Sequence, residues 1–210
     1  MSRVIIADDH AVVRAGYRQF LEEEPDITQI GEAASGNEVL DRLRAEHWDA
    51  LLLDIHMPDR GGLDILRRVS SGYPRVRVLV ISGLPEEQYA RNVLQAGASG
   101  YLSKNTAPEE LLKAVRLILA GRRYISASLA EVLAADLNND SEGPLHSRLS
   151  AREFQIFCKL ARGSRGSDIA DELHLSVKTV STYRSRILEK MTFKSNADIT
   201  AYSLRNGLIQ

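Results

Sequence analysis

The sequence predicts an α/β domain with a five-stranded, parallel, doubly wound sheet, followed by an all-α domain of four helices. Over residues 1–120, short apolar runs without polar alternation, which are typical of buried parallel strands, alternate with helix patterns. From residue 149 onward only helix patterns remain. Between these regions, residues 138–144 are polar and contain glycine and proline, which is the composition of a linker.

Five strand–helix units make up the first region. Strands are predicted at residues 3–7, 28–33, 49–53, 76–81 and 99–102. Helices follow them at residues 11–24, 36–46, 62–71, 86–96 and 107–120. Pro108 suits the first turn of the fifth helix, and Gly97 suits the C-cap of the fourth. Repeated units of this kind specify a parallel sheet that is covered by helices on both faces.

The second region contains four predicted helices, at residues 150–162, 167–173, 177–191 and 195–206. The second and third of them have the spacing of a helix-turn-helix, and Ser176 is a plausible N-cap for the third. These patterns divide the chain into a first domain at 1–120, a linker at 121–147 and a helical domain at 148–210.

Charge is distributed unevenly along the 210 residues. Residues 145–210 carry 11 Lys and Arg against 6 Asp and Glu, whereas the rest of the chain has a net charge of −6. A basic domain joined to an acidic one suggests two different partners, and nucleic acid is the usual partner of a basic domain. The apolar content of 44% and the single cysteine are those of an ordinary cytoplasmic protein without disulfides or membrane spans.

Polar residues follow the predicted strands where each strand ends. Asp8 and Asp9 follow the first strand, Asp54 the third, Ser82 the fourth and Lys104 the fifth. Ligands of open α/β sheets bind outside the carboxyl ends of the strands, so these side chains should converge. Three carboxylates repel one another unless a cation lies among them, and Mg2+ suits such oxygen ligands.

This cluster has the groups that phosphoryl transfer needs. A carboxylate can accept a phosphoryl group, and the reaction depends mainly on positioning and charge neutralisation. Asp54 is the candidate nucleophile, and Asp8 and Asp9 would hold Mg2+. Lys104 would pair with a phosphoryl oxygen or with Asp54 itself, and Ser82 would offer its hydroxyl to another phosphoryl oxygen. Each residue alone has a simpler explanation, such as an N-cap for Asp9, a turn for Asp54 or a surface charge for Lys104. Their occurrence at successive strand ends argues against those explanations.

Residues 1–120 resemble the receiver domain of response regulators, which has the CheY-like fold. The resemblance rests on Asp8-Asp9, Asp54 with Met57-Pro58 and Gly61-Gly62, Ser82, and Ala96-Gly97-Ala98 leading to Tyr101-Leu102-Ser103-Lys104.

The resemblance implies a phosphoacceptor at Asp54, which takes its phosphoryl group from a cognate histidine kinase. It implies Mg2+ held by Asp9, Asp54 and the backbone carbonyl of His56, with Asp8 acting through water. It also implies that Ser82 and Tyr101 form a switch, in which Ser82 moves toward the phosphoryl group and Tyr101 turns inward. Many receivers have a cis proline after the lysine. Here Asn105 follows Lys104, so a trans bond is expected.

The helix predicted at 177–191 has two different faces. Val180, Tyr183, Ile187 and Met191 should pack inward, whereas Lys178, Ser181, Thr182 and Ser185 lie on the opposite side. That polar face suits either solvent or the major groove of DNA.

Residues 148–210 resemble the LuxR-type helix-turn-helix. The resemblance rests on Leu149 to Glu153, Asp168-Ile169-Ala170, Glu172-Leu173, Leu175 to Val180, Tyr183 to Leu188 and Lys190-Met191. It implies base reading by Ser181, Thr182 and Ser185. It implies phosphate contacts from Lys178, Thr179, Arg186 and Lys190.

The two resemblances together are those of the NarL/FixJ class of response regulators. We therefore expect a two-component transcription regulator that is not an enzyme beyond its own phosphoryl transfer and dephosphorylation. Its expected partners are the kinase, double-stranded promoter DNA, a second copy on activation and RNA polymerase. Three alternatives remain: an orphan regulator that binds DNA without phosphorylation, a phosphatase with an aspartyl-phosphate intermediate, and a basic domain that binds protein or RNA.

Overall fold

The computed structural model describes residues 1–55, 57, 62–83, 86–131, 144–173 and 175–209. The chain divides into two compact units, Met1–Val132 and Leu133–Gln210. Among the described residues, none of the helices combines the length and the apolar character that a membrane span requires.

The first unit is a five-stranded parallel sheet with the predicted alternation of strands and helices. The strand order is β2-β1-β3-β4-β5. The strands are β1 (Ser2–Ala7), β2 (Ile27–Ala33), β3 (Ala50–Asp54), β4 (Arg77–Ser82) and β5 (Gly100–Ser103). The helices are α1 (Ala11–Glu22), α2 (Gly36–Ala45), α3 (Gly62–Gly72), α4 (Glu86–Gln95) and α5 (Pro108–Leu119). The predicted fold class is confirmed, and Pro108 begins α5 as expected.

Burial explains why the central strands read as continuous apolar runs. Every residue of β3 is buried, and so are the last residues of β1 and of β4. The edge strand β2 is only partly buried, and its sequence is correspondingly mixed. Helix α1 ends at Glu22, before the predicted residue 24. A proline disfavours the helical conformation of the residue before it, so Pro25 accounts for the earlier end of α1.

The other edge of the sheet is covered by the start of the segment predicted as a linker. The backbone N–H of Tyr124 donates to the carbonyl of Ser99 at 2.9 Å, and residue 124 forms a parallel bridge with Gly100. The Tyr124 hydroxyl donates to Glu110 of α5 at 2.7 Å. Tyr124 and Leu129 are both buried. Residues 121–131 of the predicted linker therefore lie within the first unit, and residues 132–143 lie outside the described residues.

The second unit contains the four predicted helices. They are α6 (Ala151–Ala161), α7 (Gly166–Glu172), α8 (Val177–Met191) and α9 (Asn196–Arg205), preceded by a 3-10 helix (Leu145–Arg148) that the sequence did not predict. Ser150 and Ser195 form capping boxes with Glu153 and Asp198, and Ser176 caps α8 as predicted. Each N-cap fixes where its helix begins and so fixes the angle at which the chain enters it.

Gly62 allows the chain to turn back onto the end of β3. Its N–H donates to the carbonyl of Ile55 at 3.0 Å. A Cβ atom at this position would lie 2.6 Å from the Cα of Ile55 and would also meet the carbonyl oxygen of Asp54. Both neighbours are backbone atoms, which a side-chain rotation cannot move. The absence of a side chain at residue 62 thus sets the position of the β3 terminus.

We expect Gly62→Ala to destabilise the protein by about 1–3 kcal/mol, because the added methyl group overpacks against backbone. The matched control is Gly16→Ala in the interior of α1, where a Cβ atom meets nothing within 4 Å. That variant should gain about 0.5–1 kcal/mol from helix propensity. Urea unfolding of both variants measures the difference, and equal effects would contradict this role of Gly62.

Candidate functional site

Three of the predicted site residues meet at the carboxyl end of the sheet. Asp8 follows β1, Asp54 is the last residue of β3, and both are buried, with exposed fractions of 1% and 2%. Lys104, which follows β5, donates from Nζ to Asp8 Oδ2 at 2.7 Å and to Asp54 Oδ2 at 2.9 Å. One ammonium therefore bridges two buried carboxylates.

The charge state of Lys104 follows from these contacts. Burial acts to lower the pKa of Lys104, but the hydrogen bonds and charges of Asp8 and Asp54 outweigh it and raise the pKa above its usual range. The ammonium is therefore protonated throughout the physiological range. It offsets part of the repulsion between the two carboxylates.

Asp9 and His10 extend this cluster toward solvent. The His10 ring Nδ1 lies 2.7 Å from Asp9 Oδ1 and 3.2 Å from Asp8 Oδ1, and the His10 backbone N–H donates to Asp8 Oδ1 at 2.8 Å. Ligand atoms of all three residues lie within 4.8 Å of one another. Such a carboxylate-rich set suits a hard divalent cation such as Mg2+. His56, predicted as a carbonyl ligand, lies outside the described residues.

Two neighbours of the acidic cluster had no role in the sequence prediction. Arg14 of α1 donates from Nη1 to the carbonyl oxygen of Asp8 at 2.8 Å and from Nε to Glu32 of β2 at 3.1 Å. This bridge holds the chain in place after β1. Burial raises the pKa of Tyr17, whose environment also includes Lys104, Asp8 and Asp54. The sequence signal for Arg14 and Tyr17 was their position on α1, the helix that follows Asp9, about one and two turns from its start.

The predicted switch residues lie on the neighbouring strands. Ser82 ends β4 and is fully buried, and its carbonyl accepts a hydrogen bond from the Lys104 backbone N–H at 2.8 Å. Tyr101 in β5 is also fully buried, which is the inward position that the resemblance assigns to the switch. The Lys104–Asn105 bond is trans, as expected. The movement of Ser82 and Tyr101 stays a prediction.

Helix α8 presents the second predicted site. Val180, Ile187 and Met191 are buried as predicted, and Tyr183 is partly buried. The residues predicted to contact DNA are exposed, apart from the partly buried Thr179; they are Lys178, Ser181, Thr182, Ser185, Arg186 and Lys190. The Ser176 side chain accepts a hydrogen bond from the Thr179 N–H at 3.0 Å, which fixes the start of the helix.

Lys190 differs from the other exposed cations of this helix, because its charge is already paired. Its Nζ donates to Glu153 Oε2 at 2.6 Å, and Glu153 is only 4% exposed. Burial acts to raise the pKa of Glu153, but its hydrogen bonds to Lys190 and Ser150 outweigh this and lower it. Arg184 also bonds away from the polar face, donating to Asn196 Oδ1 at 2.7 Å. These two contacts hold α8 against α6 and α9.

Comparison with known proteins identifies the family. Residues 4–116 match the response regulator receiver domain, and residues 147–203 match the bacterial regulatory proteins of the luxR family. The chain belongs to the NarL/FixJ-type response regulators. This regulator is 36% identical to response regulator UvrY of Escherichia coli (strain K12), over 99% of the chain and 96% of UvrY. It is also 36% identical to response regulator GacA of Pseudomonas protegens, over 100% and 98% of the two chains.

Solved structures agree with this assignment. RcsB from Salmonella enterica serovar Typhimurium, bound to promoter rprA with phosphomimetic BeF3−, is 26% identical to the regulator. The match covers 96% of the regulator and 98% of RcsB, with a TM-score of 0.68. A LuxR-family response regulator from Aurantimonas sp. SI85-9A1 is 32% identical over 66% of this chain and 99% of its own, with a TM-score of 0.61.

We expect Lys104→Met to destabilise the regulator by about 1–3 kcal/mol at pH 7, because two buried carboxylates lose their shared cation. In the wild type, the raised pKa means that the Lys104 contribution is complete below about pH 10.4 and is lost only as the pH rises through the folded value.

Urea unfolding of wild type and variant at pH 7 measures this difference. Lys113→Met is the matched control, since Lys113 pairs with Glu110 at an exposed position and should cost less than about 0.5 kcal/mol. An equal loss of stability in both variants would contradict the role given to Lys104.

Proposed function

We propose that a cognate histidine kinase phosphorylates this regulator on Asp54, and that phosphorylation promotes its dimerisation and its sequence-specific binding to promoter DNA. The observation that carries the proposal is the ammonium of Lys104 bridging Asp8 and Asp54 at the carboxyl end of the sheet. A purely structural carboxylate has no need of a second buried carboxylate beside it.

The chemistry follows from this arrangement. A carboxylate oxygen of Asp54 attacks the phosphorus, an acyl-phosphate bond forms, and the bond from phosphorus to the donor's leaving group breaks. Lys104 then moves part of its hydrogen bonding from Asp54 to a phosphoryl oxygen, and Ser82 donates its hydroxyl to another. Asp8, Asp9 and Asp54 are the residues that would hold Mg2+, which supplies charge neutralisation when bound.

Dimerisation and DNA binding are supported by the relatives. RcsB has been solved on promoter DNA, and two RcsB dimers have been solved on two parallel DNAs, at 25% identity and a TM-score of 0.60. The net positive charge of residues 145–210 and the exposed face of α8 fit the same ligand. The kinase and RNA polymerase rest on the family resemblance, and a cytoplasmic location rests on the single cysteine, which is consistent with a reducing compartment.

We further propose that the regulator is not an enzyme acting on external substrates. A phosphatase with an aspartyl-phosphate intermediate would place its nucleophile two residues before its acid at one strand end. Here Asp8 and Asp9 are adjacent, and the candidate nucleophile Asp54 lies on another strand. An orphan regulator remains the second candidate, although the complete acidic site with its lysine favours phosphorylation.

We expect a single phosphoryl adduct on wild-type protein incubated with a small phosphoryl donor and Mg2+, and none on Asp54→Asn. The asparagine is nearly isosteric, so the variant should keep its circular-dichroism spectrum. Intact-mass measurement detects the adduct, and omission of Mg2+ should abolish it. An adduct on Asp54→Asn, or none on wild type with its kinase supplied, would contradict the proposal.

We expect Lys178→Ala and Lys190→Ala to have different effects. Lys178 is exposed, so its loss should weaken binding to all duplexes and reduce the salt slope by about 1, without changing stability. Lys190→Ala should instead cost about 1 kcal/mol of stability, because the buried Glu153 carboxylate loses its cation. The cost stays modest because the Lys190 side chain is itself partly exposed. Filter binding across a salt series and thermal unfolding separate the two effects, and identical profiles would contradict this division.

A further inference from the structure

The first residue of α8 carries an exposed apolar side chain. Val177 is 57% exposed, although it is apolar, and it lies beside the exposed Lys178. Residues at the N-terminal end of a recognition helix are those that contact base edges in the major groove. An apolar side chain at that place can make one kind of specific contact, which is with the C5-methyl group of thymine.

The hydroxyl groups along the same face are limited in what they can read. Thr182 Oγ1 donates to the carbonyl of Lys178 at 3.0 Å, and Ser185 Oγ donates to the carbonyl of Ser181 at 3.2 Å. A hydroxyl has one proton, so each of these groups faces a ligand as an acceptor only. In the major groove, adenine N6 and cytosine N4 are donors, whereas guanine offers acceptors alone.

The exposed face also holds few side chains of the kinds that read bases through paired hydrogen bonds, which are Arg or Lys for guanine and Asn or Gln for adenine; Lys178 is the one such residue here, and the family resemblance assigns it to a phosphate. Positions 177, 178, 181, 182 and 185 hold Val, Lys, Ser, Thr and Ser, with no Arg, Asn or Gln among them. Lys178 is the one cation in this set. The face therefore offers a methyl-binding surface and acceptor oxygens rather than bidentate donors.

We propose that Val177 is a specificity-determining residue that contacts a thymine methyl group, and that Thr182 and Ser185 select adenine or cytosine amino groups beside it. The inference rests on the proposed DNA-binding function and names the base-pair chemistry that this function selects. A thymine followed by base pairs with accessible amino groups is the expected content of each half-site.

The experiment removes one methyl group at a time from the DNA. Duplexes are first selected from a random pool by the phosphorylated full-length protein, and each thymine is then replaced by deoxyuridine. At one thymine of each half-site, this replacement should weaken wild-type binding about four-fold, the value of one buried methyl group. Val177→Ala, which loses the contact in both half-sites of the dimer, should bind the thymine duplex about sixteen-fold more weakly and should not respond to the replacement.

Val12→Ala is the matched control, because Val12 is another highly exposed valine and lies on α1 of the first unit. It should respond to deoxyuridine as the wild type does. Thr182→Val, which keeps the shape and loses the acceptor, should lose discrimination for adenine or cytosine at one position. Circular dichroism checks that each variant is folded, and Val177→Thr, which retains one methyl group, should keep part of the response.

The outcomes are separable. A thymine whose methyl effect disappears only in Val177→Ala supports the proposal. Equal sensitivity of wild type and Val177→Ala at every thymine, or no sensitivity at all, overturns it and leaves the DNA-binding function intact. Failure to select any sequence over random DNA overturns both.

Discussion

The structure of the first unit depends on one constraint, which is that two buried carboxylates share a single ammonium. Asp8 and Asp54 come from adjacent strands β1 and β3, whereas Lys104 comes from β5, beyond β4. The three side chains meet only if the parallel strands end at the same level. The close turn at Gly62 and the hydrogen bond from the Lys104 N–H to the Ser82 carbonyl keep the ends of the strands aligned. The shared ammonium offsets part of the cost of burying these two charges.

In the second unit, a smaller number of charged contacts fixes the position of one helix. Its recognition helix must present a polar face and still keep a fixed angle to the helices that support it. Capping serines define where α6, α8 and α9 begin, and Lys190 and Arg184 connect α8 to Glu153 and to Asn196. The exposed face is then free to carry short side chains, since none of them is needed to hold the helix. The residues that orient α8 are thus different from those proposed to read DNA.

The sequence predicted the sheet and the helices because a strand buried on both faces must be apolar throughout, and residues 51–53 and 78–81 meet that condition. It also located Asp8, Asp54 and Lys104, since strand ends share one edge. It did not predict the second partner of Lys104, the contacts of His10 and Arg14, or the pairing of Lys190 with Glu153. Those contacts depend on the rotamers of long side chains and on residues distant in sequence, which periodicity does not encode. The packing of Tyr124 along β5 was not predicted either, because it also joins residues that are distant in sequence.

The measurement that tests the central claim most directly is the DNA affinity of the full chain with and without a phosphoryl donor. One selected duplex is titrated with wild type and with Asp54→Asn, each in Mg2+ with and without the donor. We expect the donor to tighten wild-type binding by at least about five-fold, within the usual range of allosteric coupling, and to leave the affinity of Asp54→Asn unchanged. Equal affinities for the phosphorylated and unphosphorylated wild type would contradict this expectation and would identify the chain as a regulator whose DNA binding does not depend on Asp54.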